Sequence, residues 1–429
     1  MINLPKIQDV DLNGKIVLVR VDHNVVKKGE IHDPYRIDST FNTLFHIYAN
    51  GGKAILMSHV GRPKDKKTGE ITISKDTSVK PIVDYLREKL SLRIEIPEFA
   101  ETEGKGYLNI GKSINPLLDK LQGNDLDAIY LPNTRWFYGE QAKDNAADDL
   151  AEQLAQLADI YVNDAFGSWR PHASTARITK YLPPYAGLLM KKEIKNLDQI
   201  YNPKKPFVAV VAGSKFDTKV ASLSSLLERA DYLILGGVIY NVYLAAKYGF
   251  EIKGVSEEEI ESAQKFMKSA EKYKEKIIEL PYIVESDEIE GKKENKYRTH
   301  DIRKLDKTTT LNFVLDADPK SFEDEKVSNI FNEAETIFVN AVMGLTPHFN
   351  EGTKAMIKAI VKNKNGRKLF GGGDTLQEFK RLEPGDYLKA VDDDKFYLFT
   401  GGGAVLKAIE GDDPLIIPPV KALIENAKK

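Results

Sequence analysis

The sequence predicts a doubly wound α/β protein built as two lobes around a stiff helical connector. Three observations carry that expectation. Short runs rich in Val, Ile and Leu recur without the polar alternation of a half-exposed strand, which suits parallel strands buried on both faces. Each run leads into a polar or glycine-rich turn and then a helix-like segment, the alternation of a parallel sheet with crossover helices. Near the middle, 181–207 (YLPPYAGLLMKKEIKNLDQIYNPKKPF) sets an amphipathic helix pattern between Pro183-Pro184 and two further prolines, marking a break between sheets.

The elements follow in order. Lys15–Asp22 (KIVLVRVD) reads as a buried strand, Ser39–Asn50 as a helix stopped by Gly51-Gly52, and Ala54–Met57 as the next strand. Further strands are expected at Ala128–Leu131, Asp159–Val162, Phe207–Val211, Tyr232–Leu235, Thr336–Val339, Lys368–Phe370 and Phe396–Phe399. This divides the chain into a first lobe over 1–182, a connector over 183–205 and a second lobe over 206–411. A proline-rich tail over 412–429 is expected to pack back on the first lobe. Two charge-rich stretches of mixed sign, Lys265–Lys276 and Glu290–Lys304, read as a solvated helix face and a surface loop.

Composition narrows the function. The 429 residues carry 62 Lys+Arg against 64 Asp+Glu, a balance unlike that of a polyanion-binding protein. With no cysteine there is no disulfide, thiolate metal site or cysteine nucleophile. The start, MINLPKIQDVDLNGK, lacks the basic-then-apolar pattern of a secretory signal, and no run of about 18 apolar residues occurs. The expectation is a soluble, cytoplasmic enzyme that binds neither nucleic acid nor membrane.

Ligands of open parallel sheets bind beyond the carboxyl ends of the strands, so the residues there matter most. In the first half they are basic and hydrogen-bonding. KIVLVRVD runs into Asp22-His23-Asn24 with Arg36 shortly after, and AILMS into His59-Val60-Gly61-Arg62. AIYLP runs into Asn133-Thr134-Arg135, and DIYVND into a loop carrying Arg170 and His172. One such arginine is an ordinary surface charge. Several converging on one sheet edge repel unless an anion neutralises them, and guanidinium matches phosphate and carboxylate oxygens in pairs. That points to a small, multiply anionic ligand.

The second half ends its strands differently. FVAVV gives Ala212-Gly213-Ser214-Lys215 with Lys219 four residues on, DYLIL gives Gly236-Gly237, and TIFVN reaches Asn340. KLF gives Gly371-Gly372-Gly373-Asp374-Thr375, and FYLFT gives Gly401-Gly402-Gly403. Such turns let backbone approach a ligand, and the helix N-termini that follow offer N–H groups to phosphate. Lys215 and Lys219 are expected on one face of the next helix. Asp374 is placed like a carboxylate holding Mg²⁺ on a nucleotide. There is no G-x-x-x-x-G-K-[ST], no H-E-x-x-H and no G-x-S-x-G, and both triple-glycine runs end in Leu where G-x-G-x-x-G needs its last Gly.

With these residues in view the whole chain resembles phosphoglycerate kinase. The matching strings are VRVDHNV (Val19–Val25), SHVGRP (Ser58–Pro63), YVNDAFGSWRPHAST (Tyr161–Thr175), LPPYAGLLMKKEI (Leu182–Ile194), PFVAVVAGSKFDTK (Pro206–Lys219), GGGDT (Gly371–Thr375) and TGGGA (Thr400–Ala404). The resemblance implies two Rossmann-like three-layer lobes joined by a hinge helix, acid substrate on the first and Mg-ATP or Mg-ADP on the second. It assigns 3-phosphoglycerate or 1,3-bisphosphoglycerate to Asp22, His23, Asn24, Arg36, His59, Val60, Gly61, Arg62, Arg135 and Arg170. It assigns the nucleotide to Gly213, Lys215, Lys219, Gly236, Gly237, Asn340, Gly372, Gly373, Asp374 and Thr375, with Asp374 at the metal. Arg36, Lys215, Lys219, Gly372 and Gly373 form the implied catalytic set, and a monomer is implied. The chain departs from the family pattern at Pro347, where a ribose-contacting Glu usually stands, and at Ala341-Val342, Pro132 and Lys407.

The expected reaction is phosphoryl transfer to a carboxylate that is already ionised at neutral pH and needs no general base. A catalytically silent binding scaffold of the same fold is the competing reading, and retention of Arg36, Lys215, Lys219 and Asp374 argues against it. A dehydrogenase is remote because the dinucleotide fingerprint fails.

Overall fold

The computed structural model describes residues 4–411, 413 and 415–427. The chain divides into two compact units, residues 1–195 with 415–429, and residues 196–414.

The first unit holds a six-stranded sheet in the order Pro184–Ala186, Ile160–Asn163, Ile16–Arg20, Lys53–Met57, Ala128–Tyr130, Ile94–Glu95. Every neighbouring pair is parallel. The central strand Ile16–Arg20 is buried throughout. Val17 and Val19 pack with Leu44 and Ile47 of helix Phe41–Ala49, and with Ile82, Val83 and Leu86 of helix Lys80–Leu90. These β-branched residues fit a pleated surface covered on both sides, which is why the apolar run forms a central strand and not an edge. The connector expected over 183–205 begins as the last strand of the sheet, Pro184–Ala186, where proline is tolerated because the N–H it lacks would point away from the neighbouring strand. Helix Leu188–Tyr201 follows, and the division between the units falls inside it. In the tail, helix Pro418–Asn426 buries Val420 and Leu423, and Asn426 Nδ2 donates to Thr179 Oγ1 at 2.9 Å. Of the tail expected over 412–429, residues 412, 414, 428 and 429 lie outside the described residues.

The second unit repeats the plan with the order Ile277–Ile278, Tyr232–Gly236, Phe207–Gly213, Thr336–Asn340, Arg367–Phe370, Phe396–Leu398, again all parallel. It adds a three-stranded antiparallel sheet, Tyr297–Asp301, Tyr282–Ser286 and Phe313–Ala317. That corrects the surface-loop expectation for Glu290–Lys304. Tyr297–Asp301 is an outer strand held through its charges: Arg298 grips Glu285 through Nε at 2.8 Å and Nη2 at 2.6 Å, and His300 Nε2 meets the same carboxylate at 2.6 Å.

Candidate active site

In the first unit three of the four basic strand ends bring their charges together, and the fourth contributes Asn24. Arg62, Arg135, Arg170, His59 and His172 line a cleft of about 740 Å³, joined by Asn24 and Gly61. Asn133 builds much of this wall. Fully buried, it accepts from the Val60 and Arg135 amides at 3.1 and 3.0 Å and donates to the Val60 and Thr77 carbonyls at 2.7 and 2.8 Å. Asn24 Oδ1 accepts from the Gly61 amide at 2.9 Å, and Arg135 donates to the Gly61 carbonyl at 2.5 Å. The loops after the first three of these strands are thus tied to one another, and Arg135 is held before any ligand arrives.

The charges are poorly matched within the protein. Among the described residues one carboxylate lines the cleft, Asp65, and its Oδ1 is taken by the Lys67 and Thr68 amides at 2.7 and 2.8 Å. Burial, with Arg135, Arg20, Arg36 and His172 around it, holds His59 well below the usual histidine range. Burial and then Arg20 lower Arg135 to about 10, and burial lowers His172 against the pull of Glu140. Cations that depress each other's protonation in this way make a site that gains when an anion enters.

Some expected residues sit elsewhere. His23 is buried in the core, its ring nitrogens 3.1 Å from Tyr130 Oη and 3.0 Å from Thr40 Oγ1, so its imidazole is committed to the protein. Burial drives its pKa to about 3. Val60 is likewise buried, with its amide and carbonyl both on Asn133. Asp22 and Arg36 pair with each other at 3.5 Å and do not line the cleft, and Asp22 Oδ1 is buried without a partner among the described residues. Arg20, Ser168 and Trp169 line it without having been singled out. The signal for Arg20 was a lone charge inside an apolar strand; for Trp169 it was an aromatic next to Arg170, whose guanidinium lies over the indole at 5.4 Å.

In the second unit a cleft of about 630 Å³ gathers Gly213, Lys219, Gly236, Gly237, Asn340, Gly372, Gly373, Asp374 and Thr375. Helix Gly373–Leu382 starts at its edge with Gly372 as N-cap and no side-chain cap, leaving its first amides available to a ligand. Gly372 has φ +109°, and the neighbouring turn comes so near that a Cβ on Gly402 would stand 2.1 Å from the Gly372 amide nitrogen. Only glycine permits that contact. Lys219 is the N-cap of helix Val220–Arg229, and burial lowers its pKa. Lys215 is exposed in the preceding turn and does not line the cleft. The expectation of both lysines on one helix face is therefore corrected: the helix starts only at Val220, one residue after Lys219.

Asp374 is exposed at the first turn of its helix. Among the described residues no group of three or more His, Cys, Asp or Glu could hold a metal. A single carboxylate at a glycine turn with open helix amides fits Mg²⁺, which usually takes one or two protein carboxylates and fills its shell with phosphate oxygens and water. No helix among the described residues is long and apolar enough to cross a membrane.

The chain matches the family model described as phosphoglycerate kinase over residues 7–412. It is 33% identical to the phosphoglycerate kinase of a Wolbachia from Brugia malayi, covering 99% of both chains. It is also 33% identical to that of Dictyoglomus turgidum, covering 95% of this chain and 96% of the relative. The solved phosphoglycerate kinase of Coxiella burnetii superposes with a TM-score of 0.76 at 28% identity, over 99% of this chain and 100% of the other. The structure of the Pyrococcus horikoshii enzyme shares the fold with a TM-score of 0.76 at 23% identity, over 99% of this chain and 100% of the other.

Proposed function

The chain belongs to the phosphoglycerate kinase family, and on that premise we propose which of its residues carry the reaction. The activity is reversible phosphoryl transfer between ATP and the carboxylate of 3-phosphoglycerate, giving ADP and 1,3-bisphosphoglycerate. The acceptor is ionised at neutral pH, so no base is needed, and catalysis reduces to alignment and charge stabilisation.

The acid occupies the first unit's cleft, its phosphate and carboxylate held by Arg62, Arg135, Arg170 and His59, with Asn24 and Gly61 shaping the floor. Arg36, leaning on Asp22 across 3.5 Å, is free to turn toward the transferring group. Nucleotide phosphates sit against Lys219 and the amides of Gly372 and Gly373, near Gly213, Gly236, Gly237, Asn340 and Thr375. Lys215 reaches them from its exposed turn. Asp374 would hold Mg²⁺ on the nucleotide, where the ion would supply neutralising charge. In-line transfer needs the acceptor oxygen opposite the leaving oxygen, so turnover passes through a closed state, with helix Leu188–Tyr201 as the hinge and water excluded. We take the working form to be a cytoplasmic monomer.

The observation that carries this reading is the first cleft, where Arg20, Arg62, Arg135 and Arg170 face a single carboxylate already engaged by backbone amides. The test is a coupled assay following NADH. Arg36→Ala or Lys219→Ala should lower turnover by two or more orders of magnitude with circular dichroism unchanged. Near-normal rates in both would overturn the assignment.

A further inference from the structure

We propose that Arg20 is a positioning residue: its guanidinium fixes the His59 imidazole as the Nε2–H tautomer, so that a neutral histidine presents a hydrogen-bond donor to the bound acid. The geometry leaves little choice. Arg20 Nη2 lies 3.1 Å from His59 Nδ1. A guanidinium has donors and no acceptor, so this contact needs the lone pair on Nδ1 and puts the ring proton on Nε2. His59 lines the acid cleft, and among the described residues no protein group bonds its Nε2. That leaves Nε2–H for the ligand.

Arg20 is itself held firmly. It is 1% exposed, at the last position of the central strand. Its Nε donates to Ser174 Oγ at 2.9 Å and Nη1 to the Val21 carbonyl, and Ser168 Oγ is 3.5 Å from Nη2. Ser174 passes the charge on to the buried Glu140, donating Oγ–H at 2.7 Å and N–H at 3.0 Å. Glu140 thus anchors the arginine at one remove and leaves one guanidinium edge for His59.

The groups that act on His59 through charge come from four elements: Arg20 from the strand, Arg36 from helix Tyr35–Asp38, Arg135 from the turn Thr134–Trp136, and His172 from the loop after Ile160–Asn163. All are cations or histidine, and together with burial they keep the ring neutral at physiological pH. A protonated His59 would set two donors against each other at Nδ1. A neutral ring with an assigned tautomer avoids that and still binds an anion, with an aimed N–H in place of a further charge.

The inference rests on reading the cleft as the acid site, but its first readout does not. Full-length protein with ¹⁵N-labelled histidine, without ligand, should show His59 protonated at Nε2 and acceptor-type at Nδ1 from about pH 5.5 to 8, its signals identified by their loss in His59→Gln. A ring protonated at Nδ1, or one titrating at the ordinary histidine pKa, overturns the proposal. The second readout is kinetic. A glutamine amide reaches the Nε2 position and an asparagine amide the Nδ1 position. His59→Asn should therefore raise KM for 3-phosphoglycerate at least tenfold more than His59→Gln does, with kcat changing less. Equal effects overturn it. Arg20→Gln should raise the same KM about tenfold in the parent and less than threefold in His59→Gln; full effect in both backgrounds means Arg20 does not act through His59. If Arg20→Gln fails to fold, the spectra and the His59 pair decide. Parent protein that is inactive in the coupled assay would instead refute the functional reading and leave the tautomer measurement to be judged alone.

Discussion

Replacing Gly372 by alanine tests how the nucleotide turn is built. Gly372 joins strand Arg367–Phe370 to helix Gly373–Leu382 at φ +109° and ψ 130°, a region that L side chains avoid. An added Cβ would stand 3.0 Å from both Asn340 Nδ2 and Thr375 Oγ1. Retreat is blocked, because the Gly402 turn already lies against the Gly372 amide. Backbone strain of this kind costs about 1–3 kcal/mol. Displacing Asn340 from its 2.9 Å hydrogen bond to the Gly371 carbonyl adds about 1 kcal/mol. The sum, about 2–4 kcal/mol, lowers Tm by roughly 4–16 °C for a unit of this size. Because the first amides of the helix shift with the turn, KM for ATP should rise about tenfold, while KM for 3-phosphoglycerate, whose proposed site is in the other unit, stays put. Gly373→Ala is the control: its Cβ meets nothing within 4 Å, so stability should hold or rise by about 0.4–1 kcal/mol. Thermal melts by circular dichroism and the coupled assay read both. A Gly372→Ala protein melting within a degree or two of the parent with an unchanged nucleotide KM would refute the argument.

Three further outcomes are expected. Asn133→Ala leaves four backbone groups of the acid-site wall unpaired and should cost about 3–5 kcal/mol in urea unfolding; a loss under about 1 kcal/mol would mean that the loops are held by other contacts. Asp164 is fully buried and its pKa is raised to about 6 by burial, against the Thr43 hydroxyl and the amides of Met190 and Leu189. A raised carboxyl stabilises the fold fully below its unfolded pKa near 4, and that share is lost as pH climbs through about 6. Relative to Asp164→Asn, the parent should therefore lose up to about 3 kcal/mol between pH 4 and 8, and parallel stability curves would exclude it. Trp169→Leu removes the indole beneath Arg170, an interaction worth about 0.5–1 kcal/mol, so KM for 3-phosphoglycerate should rise about two- to fivefold and KM for ATP should not move.

The parallel sheets were legible because burial on both faces leaves a direct mark on composition. Val17, Val19, Leu56 and Val162 are apolar for the same reason that their strands are central. Two of the strands that were missed lack the unbroken Val, Ile and Leu run that marks the central ones. Pro184–Ala186 adds a proline-bearing edge that sequence patterns read as a break. Tyr297–Asp301 is exposed over its first three residues and is held through Arg298 and His300 on Glu285, so its residues look like those of a solvated loop. A pairing between segments distant in the chain cannot be seen in either segment alone.

The same distinction runs through the site. Residues directly after a strand could be assigned from sequence because the sheet fixes where they emerge: Arg62, Arg135 and Arg170 meet in one cleft for that reason alone. The chain path does not say which way a side chain turns once there. His23 follows the same strand as Asn24 and yet faces the core, toward Tyr130 and Thr40, while Asn24 reaches Gly61. Arg20 is the converse case. It ends a strand that is otherwise wholly apolar, and a charge at such a position is tolerated only where partners meet it from elsewhere in the chain. Ser174, His59 and, through Ser174, Glu140 are those partners, drawn from three other stretches of sequence. A buried cation inside an apolar strand is therefore a statement about tertiary structure made in one dimension: it announces a polar network and leaves its members unnamed.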